Sequence, residues 1–196
     1  MPNLFIPRQT VHDWSETIGQ GAAEHQAALT RLLRDQRRLS KFVEENQAEM
    51  DPATAGITLY LTGVIIRLFD LAGGRMRGST WAQIRGASSK VQGAVSELLP
   101  IDDGFVDRAR QIDRAQPHIL DEALMALFVR GKEKDEEVDL ETEECFKIYL
   151  LLWVITEVLD GNWKPRKGFA GAKEYEYFHI ELDDDEEEAA EEAAEE

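Results

Sequence analysis

Cysteine and histidine are scarce in this chain of 196 residues. A single cysteine, Cys145, cannot form a disulfide within the chain, and it cannot supply a cysteine-based zinc site. A di-iron carboxylate bundle needs two Glu-x-x-His pairs on facing helices, whereas only Glu176 and His179 have that spacing here. No His-Glu-x-x-His sequence occurs either. We therefore expect neither a metal nor another cofactor.

Motifs of nucleophilic catalysis are also missing. The chain contains no Gly-x-Ser-x-Gly elbow. Cys145 follows three acidic residues, and neighbouring acids raise the pKa of a thiol, which disfavours a nucleophilic role. One enzymatic alternative stays open, because His118, Asp121 and Glu122 fall within about one helical turn. Together with His25, these side chains would have to converge on a cavity.

Long apolar runs are missing as well. The two longest, 57–66 and 148–155, fall short of the roughly 18 to 20 residues that a membrane span needs. Arg67 interrupts the first run, and Glu157 closely follows the second. The first residues do not combine a basic segment with a long apolar run, so we expect no signal peptide. These features predict buried core helices, no membrane span and a cytoplasmic location.

Positive charge is scarce in the last third of the chain. The formal net charge is −17, yet residues 1–130 hold 15 basic and 16 acidic side chains, whereas residues 131–196 hold 7 and 23. Residues 183–196 are all acidic or alanine, which predicts a disordered acidic tail after a helical domain of residues 1–182. The net charge disfavours nucleic acid as a partner of the whole chain.

Helical periodicity dominates the remaining sequence and predicts an all-α, single-domain bundle of five or six mostly antiparallel helices. The first long helix covers about 22–50, with an apolar stripe at three-and-four spacing. Asp51-Pro52 is typical of a helix start, since the acid caps and the proline needs no hydrogen-bond partner. The apolar helix 52–72 that follows should lie near the centre, together with a helix at 140–160.

Weaker signals define other elements. Asp13 and Glu16 have the spacing of a capping box, which predicts a helix start there. A proline at position 117 predicts a break near Gln116 in an otherwise helical pattern. Residues 174–182 alternate partly in polarity and contain β-prone residues. They are predicted to form a short terminal ribbon, with 3–6 as the candidate partner.

The stretch GGRMRGSTW, residues 73–81, resembles a phosphate-binding loop. A Walker A loop is Gly-x4-Gly-Lys-[Ser/Thr], placed between a strand and a helix. Gly73 and Gly78 match, but Ser79 stands where the lysine should be, and the preceding segment is predicted to be helical. We therefore predict a turn between two helices rather than nucleotide hydrolysis. A weaker anion site stays open, since two arginines lie beside a helix N-terminus.

Residues 30–90 form a long segment with an excess of positive charge, with 10 basic and 6 acidic side chains. We predict that this segment docks an acidic partner. An alternative is a solvated face with local pairs such as Arg31–Asp35 and Lys41–Glu45 at i,i+4 spacing. The candidate anion- or partner-binding residues are Arg31, Arg34, Arg38, Lys41, Arg75, Arg77, Ser79 and Arg85.

The lack of a dense catalytic constellation favours a non-catalytic interaction or regulatory protein. It would bind another macromolecule, in the first instance a protein, through charged surfaces, and its acidic tail would compete for the basic 30–90 face. Two alternatives remain: a helical module that binds nucleic acid through its arginines, and a small-ligand or metal-dependent helical-bundle enzyme. A homodimer is compatible with the amphipathic helices.

Overall fold

The computed structural model describes residues 3–129 and 140–176. This part of the chain is mostly helical, as the sequence predicts, and contains one short two-stranded sheet. The sequence predicts five or six helices, whereas the described residues form eight. The helices are α1 Arg8–Gln20, α2 Ala22–Asp35, α3 Arg37–Gln47, α4 Pro52–Ala72, α5 Trp81–Leu98, α6 Phe105–Gln111, α7 Pro117–Leu124 and α8 Thr142–Asn162. The predicted acidic tail, 183–196, lies outside the described residues.

Helix α8 is the centre of the core, as predicted for the segment 140–160. It packs against α3, α4, α5 and α7. Tyr149 and Trp153 have no exposed surface, and twelve residues of this helix are buried in all. Because the apolar side chains of α8 surround the helix rather than lie on one face, only a position between other helices can bury them.

Helix α4 is the second core helix, and its start has the predicted cap. The carboxylate of Asp51 accepts hydrogen bonds from the backbone N–H groups of Ala53 and Thr54, and Pro52 occupies the first turn. Unlike α8, this helix leaves apolar side chains such as Tyr60 partly exposed. By length and composition alone α4 could cross a membrane, but half of its apolar window is buried inside the protein. The absence of a membrane span therefore stays a prediction.

The predicted helix 22–50 is wrong as a single element, because it is divided at Gln36. This residue has φ −106° and ψ 46°, which ends α2, and α3 begins at the next residue. The side chain of Gln36 is buried and bonded to the loop 77–79, as described below. Tertiary hydrogen bonds therefore override the helical periodicity of the segment.

The predicted start at the Asp13–Glu16 box is also wrong, since both residues lie inside α1. The helix begins just after Pro7, and this earlier start places Val11 in the helix with its side chain buried against the core. The chain breaks near Gln116 as predicted. Gln116 adopts a left-handed conformation, with φ 47°, immediately before the first residue of α7.

A π-helical turn, Met125–Val129, continues α7, and the strands β1 Arg75–Met76 and β2 Trp163–Lys164 pair antiparallel. The ribbon therefore differs from the predicted one in position. The segment 3–6 does reach the C-terminal part of the chain, where Phe5 forms an isolated β-bridge with Ala172. Most of the predicted strand 174–182 lies outside the described residues.

Candidate partner-binding surface

The loop between α4 and α5 is held by the side chain of Gln36. Its amide nitrogen donates to the carbonyl of Arg77 at 3.0 Å, and its amide oxygen accepts from the backbone N–H and the hydroxyl of Ser79, at 3.0 and 2.8 Å. Arg38 adds a bond from its guanidinium to the carbonyl of Ser79 at 3.3 Å. The break between α2 and α3 is therefore bonded directly to the arginine-bearing loop.

The same loop is joined to the segment after α8 by the two-stranded ribbon. Arg75 pairs with Lys164 and Met76 with Trp163. The backbone N–H of Arg77 donates to the carbonyl of Asn162 at 3.1 Å, which extends the contact by one residue. Two chain segments almost ninety residues apart thus lie side by side.

Glycine is required where the two segments meet. Gly74 has φ 108°, a backbone conformation that side chains disfavour. A Cβ atom there would also collide with the carbonyl oxygen of Lys164 and the backbone nitrogen of Arg166. The chain therefore turns here as predicted. Gly74 is needed because the loop packs closely against the backbone of 164–166.

This arrangement gathers basic side chains into what we call the basic surface. It comprises Arg34, Arg37, Arg38, Arg75, Arg77, Lys164, Arg166 and Lys167, all of them exposed. The three segments concerned, 34–38, 73–80 and 163–167, contain these eight basic residues and one acid, Asp35. Among the residues that the structure describes, no acid forms an ion pair with any member of the basic surface.

The pairing of Arg75 with Lys164 is electrostatically unfavourable on its own. Residues directly opposite each other in an antiparallel pair share one face of the ribbon, and like charges at such positions destabilise it. Arg166 contributes a third positive charge close by, with its side chain against Gly73. An anion bound over this face would reverse the sign of the interaction.

Four of the eight candidate residues lie on the two contacting segments 34–38 and 73–80: Arg34, Arg38, Arg75 and Arg77. Ser79 lies at the same place, but its hydroxyl donates to Gln36 and is buried, so the hydroxyl stabilises the loop and does not face an outside anion.

The other three candidates are separate from this group. Arg31 does not form the pair with Asp35 and instead lies 3.3 Å from the carboxylate of Asp70. Lys41 forms the predicted i,i+4 pair with Glu45, at 3.8 Å. Arg85 is exposed one turn into α5, with no ion pair to an acid among the described residues. The predicted 30–90 face is therefore only partly one surface.

Four members of the basic surface were not among the candidate residues selected from the sequence: Arg37, Lys164, Arg166 and Lys167. The sequence NWKPRKG does contain a local signal, since it carries three basic residues and no acid. The sequence does not indicate where this segment lies relative to the loop 73–80. Two-residue strands have no detectable periodicity, so nothing local assigns 163–164 as the partner of 75–76.

A second polar cluster lies at the start of α7 and is buried. The side chain of Arg114 is fully buried, and it donates to the carboxylate of Asp121 at 2.9 Å and to the hydroxyl of Tyr149 at 3.1 Å. The hydroxyl of Tyr175 donates to the other oxygen of Asp121 at 2.6 Å. Burial raises the pKa of both tyrosines, and the hydrogen bond to Asp121 raises that of Tyr175 further. We call these four residues the Asp121 cluster.

His118 lies beside this cluster, and both of its ring nitrogens form hydrogen bonds to backbone groups. Nδ1 lies 2.8 Å from the carbonyl oxygen of Ile6, and Nε2 accepts from the backbone N–H of Glu176 at 3.1 Å. The ring stacks on Tyr175 at 5.5 Å. His118 thus joins the segment around Ile6 to the segment around Tyr175, and its nitrogens are engaged in that role.

The four residues of the enzymatic alternative do not converge on one cavity. His118 and Asp121 are neighbours in the buried cluster, whereas Glu122 lies on another side of α7, with an oxygen 3.5 Å from His12. His25 packs against α4, next to Tyr60. Within residues 3–129 and 140–176, no group of three His, Cys, Asp or Glu side chains is placed to hold a metal ion.

Comparison with protein-family models, curated proteins and solved structures finds no match to this chain. The proposal below therefore rests on the geometry of the molecule.

Proposed function

We propose that this protein is a non-catalytic interaction or regulatory module that binds an acidic macromolecule through the basic surface. The observation that supports the proposal is the pair Arg75 and Lys164, which lie opposite each other on one ribbon with Arg166 beside them. Like charges opposite each other on a strand pair are unfavourable, and a bound anion would turn this repulsion into attraction.

The chemistry of the surface suits carboxylate or phosphate groups. Six of its eight members are arginines, whose planar guanidinium groups bind both kinds of anion in a bidentate manner. Each exposed ion pair stabilises a complex by about 1 kcal/mol or less. Useful affinity therefore needs several simultaneous contacts, and it should fall steeply as salt is added.

An acidic protein is the partner we favour. The chain carries a net charge of −17, and a long polyphosphate extending past the basic surface would meet this negative body. A short acidic peptide segment would contact only the basic patch.

Nucleic acid is the second candidate. The observation in its favour is that two segments carrying Arg34, Arg38, Arg75 and Arg77 are bonded to each other through Gln36 and Arg38, and all four arginines are exposed. Clustered exposed arginines are what phosphate contacts require.

The acidic tail, residues 183–196, is proposed to regulate the same surface. The tail contains no basic residue, and residues 177–182 separate it from the part of the chain that the structure describes. An intramolecular acidic segment competes at a high effective concentration, so it weakens outside partners without abolishing their binding.

The test is binding of fluorescently labelled poly-glutamate and of a single-stranded oligonucleotide to the full chain. The variant Arg75→Glu/Lys164→Glu reverses two charges on the basic surface. The control Lys147→Glu/Lys173→Glu makes the same change in net charge at two exposed positions elsewhere. We expect the first variant to lose poly-glutamate binding and the control to keep most of it, at low and at physiological salt.

Three outcomes decide between the alternatives. Equal binding by the variant and its control would reject the basic surface as the site. Stronger binding of the oligonucleotide than of poly-glutamate would favour the nucleic-acid alternative. Deletion of 183–196 should raise affinity at low salt, with a gain that fades as salt rises; unchanged affinity would reject the regulatory tail.

A further inference from the structure

Helix α2 is attached to the rest of the protein by few buried side chains. Breaks in the chain bound the helix at both ends, at Gly21 with φ −107° and ψ 51° and at Gln36 with φ −106° and ψ 46°. Among the side chains of α2 that the structure describes, those of His25 and Leu29 are the two that are buried. Both lie against Gly63 of α4, where an added Cβ would come within 2.9 Å of each. The contact between α2 and α4 therefore depends in large part on a histidine.

The imidazole of His25 is buried without a polar partner. The residue is 5% exposed, and neither Nδ1 nor Nε2 has a hydrogen-bond partner among the described residues. The ring makes an edge-to-face contact with Tyr60, with the two centroids 5.5 Å apart. A buried charge needs a hydrogen bond or a counter-charge, so this position suits the neutral imidazole and disfavours the protonated one.

The charged groups around His25 do not offset a proton on its ring. Burial, and to a smaller extent the positive charge of Arg67 on α4, lowers the pKa of His25. The carboxylate of Asp70, also on α4, is engaged by Arg67 at 2.7 Å. Glu16 on α1 and Glu24 on α2 are exposed, and helix α3 joins the far end of α2. Among the described residues, no acid forms an ion pair with His25.

The position of α2 also affects the basic surface. Arg34, a member of that surface, lies in the last turn of α2. The backbone N–H of Gln36, whose side chain holds the loop 77–79, donates to the carbonyls of Leu32 and Leu33 in the same turn. Release of α2 would therefore displace Arg34 and disturb the position from which Gln36 holds the loop.

We propose that α2 is released by acid: protonation of His25 detaches this helix from α4 and thereby weakens binding at the basic surface. Detachment brings the imidazolium into water, which relieves a buried charge without a counter-charge. In the detached helix the pKa of His25 returns to its ordinary 6.5, so the free energy of release falls as the pH drops from about 6.5 towards the lowered pKa. The release depends only on the contacts of His25, whereas its effect on binding also rests on the function proposed above.

Hydrogen–deuterium exchange of the full chain, followed by mass spectrometry at about pH 7.5 and about pH 5.5, tests the release. After correction for the intrinsic exchange rate, the amides of α2 should lose protection by at least about threefold at the lower pH. They should also exchange faster than the amides of α8, because α2 opens without global unfolding. Equal protection of α2 at the two pH values, or equal exchange of α2 and α8, would overturn the proposal.

Variants of the histidine locate the effect. His25→Gln stays neutral at both pH values and should remove the loss of protection at the lower pH. His25→Phe keeps a ring against Tyr60 without a titratable group, and it replaces the glutamine variant if that protein does not fold. The control His12→Gln removes a histidine on α1 and should behave as the wild type does. A loss that persists in both His25 variants would contradict the release by His25.

Binding of poly-aspartate at the same two pH values tests the link to the basic surface. The carboxylates of this probe, with an ordinary pKa of about 3.9, stay charged at both. The protein becomes less negative as the pH falls, so charge alone predicts tighter binding at the lower pH. We expect the opposite for the wild type, at least about twofold weaker binding, and no such loss for His25→Gln.

The outcomes separate the two proposals. Tighter binding of poly-aspartate by the wild type at the lower pH would reject the link between α2 and the basic surface. Absence of binding at both pH values would count against the proposed function, and the exchange measurement would still decide whether acid releases α2.

Discussion

The hydroxyl of Ser79 donates to the side-chain oxygen of Gln36 at 2.8 Å, although the two residues are 43 positions apart. Both residues are buried, and the same oxygen also accepts from the backbone N–H of Ser79. This contact accounts for two features at once. It stabilises the break between α2 and α3, and it fixes the loop that carries Arg75 and Arg77 beside Arg38.

Replacement of Gln36 with leucine should destabilise the protein by about 2 kcal/mol, because buried N–H and O–H donors of Ser79 would lose their acceptor. Urea denaturation measures this change in the free energy of unfolding. Gln92→Leu, at an exposed position of α5, is the control and should change stability little. A value for Gln36→Leu equal to the control would show that the loop is held by other contacts.

Replacement of Asp121 with alanine should destabilise the protein by about 3 to 5 kcal/mol, because it leaves the guanidinium of Arg114 buried without its counter-charge. The double variant Arg114→Met/Asp121→Ala removes the charge as well and should recover part of the loss. Asp113→Ala, at an exposed position nearby, serves as control. Chemical denaturation of all four proteins gives the comparison. A double variant less stable than Asp121→Ala would contradict the assignment of the loss to an unpaired charge.

His25 should make stability depend on pH. Burial, and to a lesser degree the positive charge of Arg67, lowers the pKa of His25 below its ordinary 6.5. Between the two pKa values the unfolded chain binds more protons than the folded one. The contribution of neutral His25 to the free energy of unfolding is therefore fully present above about pH 6.5. It is lost as the pH falls towards the lowered pKa of the folded state.

The measurement is urea denaturation between about pH 7.5 and pH 5.5, the range in which histidine changes charge. Because other groups titrate as well, the relevant quantity is the difference between the wild type and His25→Gln, which stays neutral throughout. The wild type should lose more stability than the variant as the pH falls. Parallel curves would mean that the pKa of His25 is the same in the folded and unfolded states.

Gly63 and Gly56 lie in the same helix and should respond oppositely to alanine. A Cβ at Gly63 would lie 2.9 Å from Nε2 of His25 and 2.9 Å from Cδ2 of Leu29, so these two buried side chains would have to shift. A Cβ at Gly56 meets no atom within 4 Å. Alanine at 56 should stabilise the protein by up to about 1 kcal/mol through helix propensity. Alanine at 63 should destabilise it by about 1 kcal/mol or more.

The melting temperatures of the two alanine variants provide the measurement. A stabilised Gly63→Ala protein would mean that the side chains of His25 and Leu29 can shift at little cost. That outcome would remove their close approach as a constraint on residue 63.

Prediction from the sequence succeeded where the determinants are local. Asp51-Pro52 starts α4 because a carboxylate three residues or fewer from the N–H groups can cap them, and Pro117 starts α7 because the proline ring tolerates the first turn. The capping box at Asp13 failed, although the motif is local, because burial of Val11 favours a helix that begins earlier. Burial of a valine side chain stabilises a protein by about 1.5 to 3 kcal/mol, whereas a cap typically contributes about 1 kcal/mol.

The candidate-site residues show the same difference between local signals, which the sequence contains, and tertiary contacts, which it does not reveal. Arg34, Arg38, Arg75 and Arg77 could be selected as basic residues in a basic segment, but their common surface depends on hydrogen bonds from Gln36, a residue without any sequence signal for that role. Lys164, Arg166 and Lys167 belong to the surface only because a two-residue strand pairs with another. Such short pairing has no periodicity from which it could be read.

The sequence by itself determined the mainly helical class, the apolar helices that form the core and the unequal distribution of charge, because each depends on composition or on spacing within one segment. Tertiary structure alone decided where the first long helix divides, which basic side chains meet and how Arg114 and Asp121 come to share a buried site. These features depend on contacts between residues far apart in the chain. Their free energy comes from burial and hydrogen bonding, which exist only once the helices are packed.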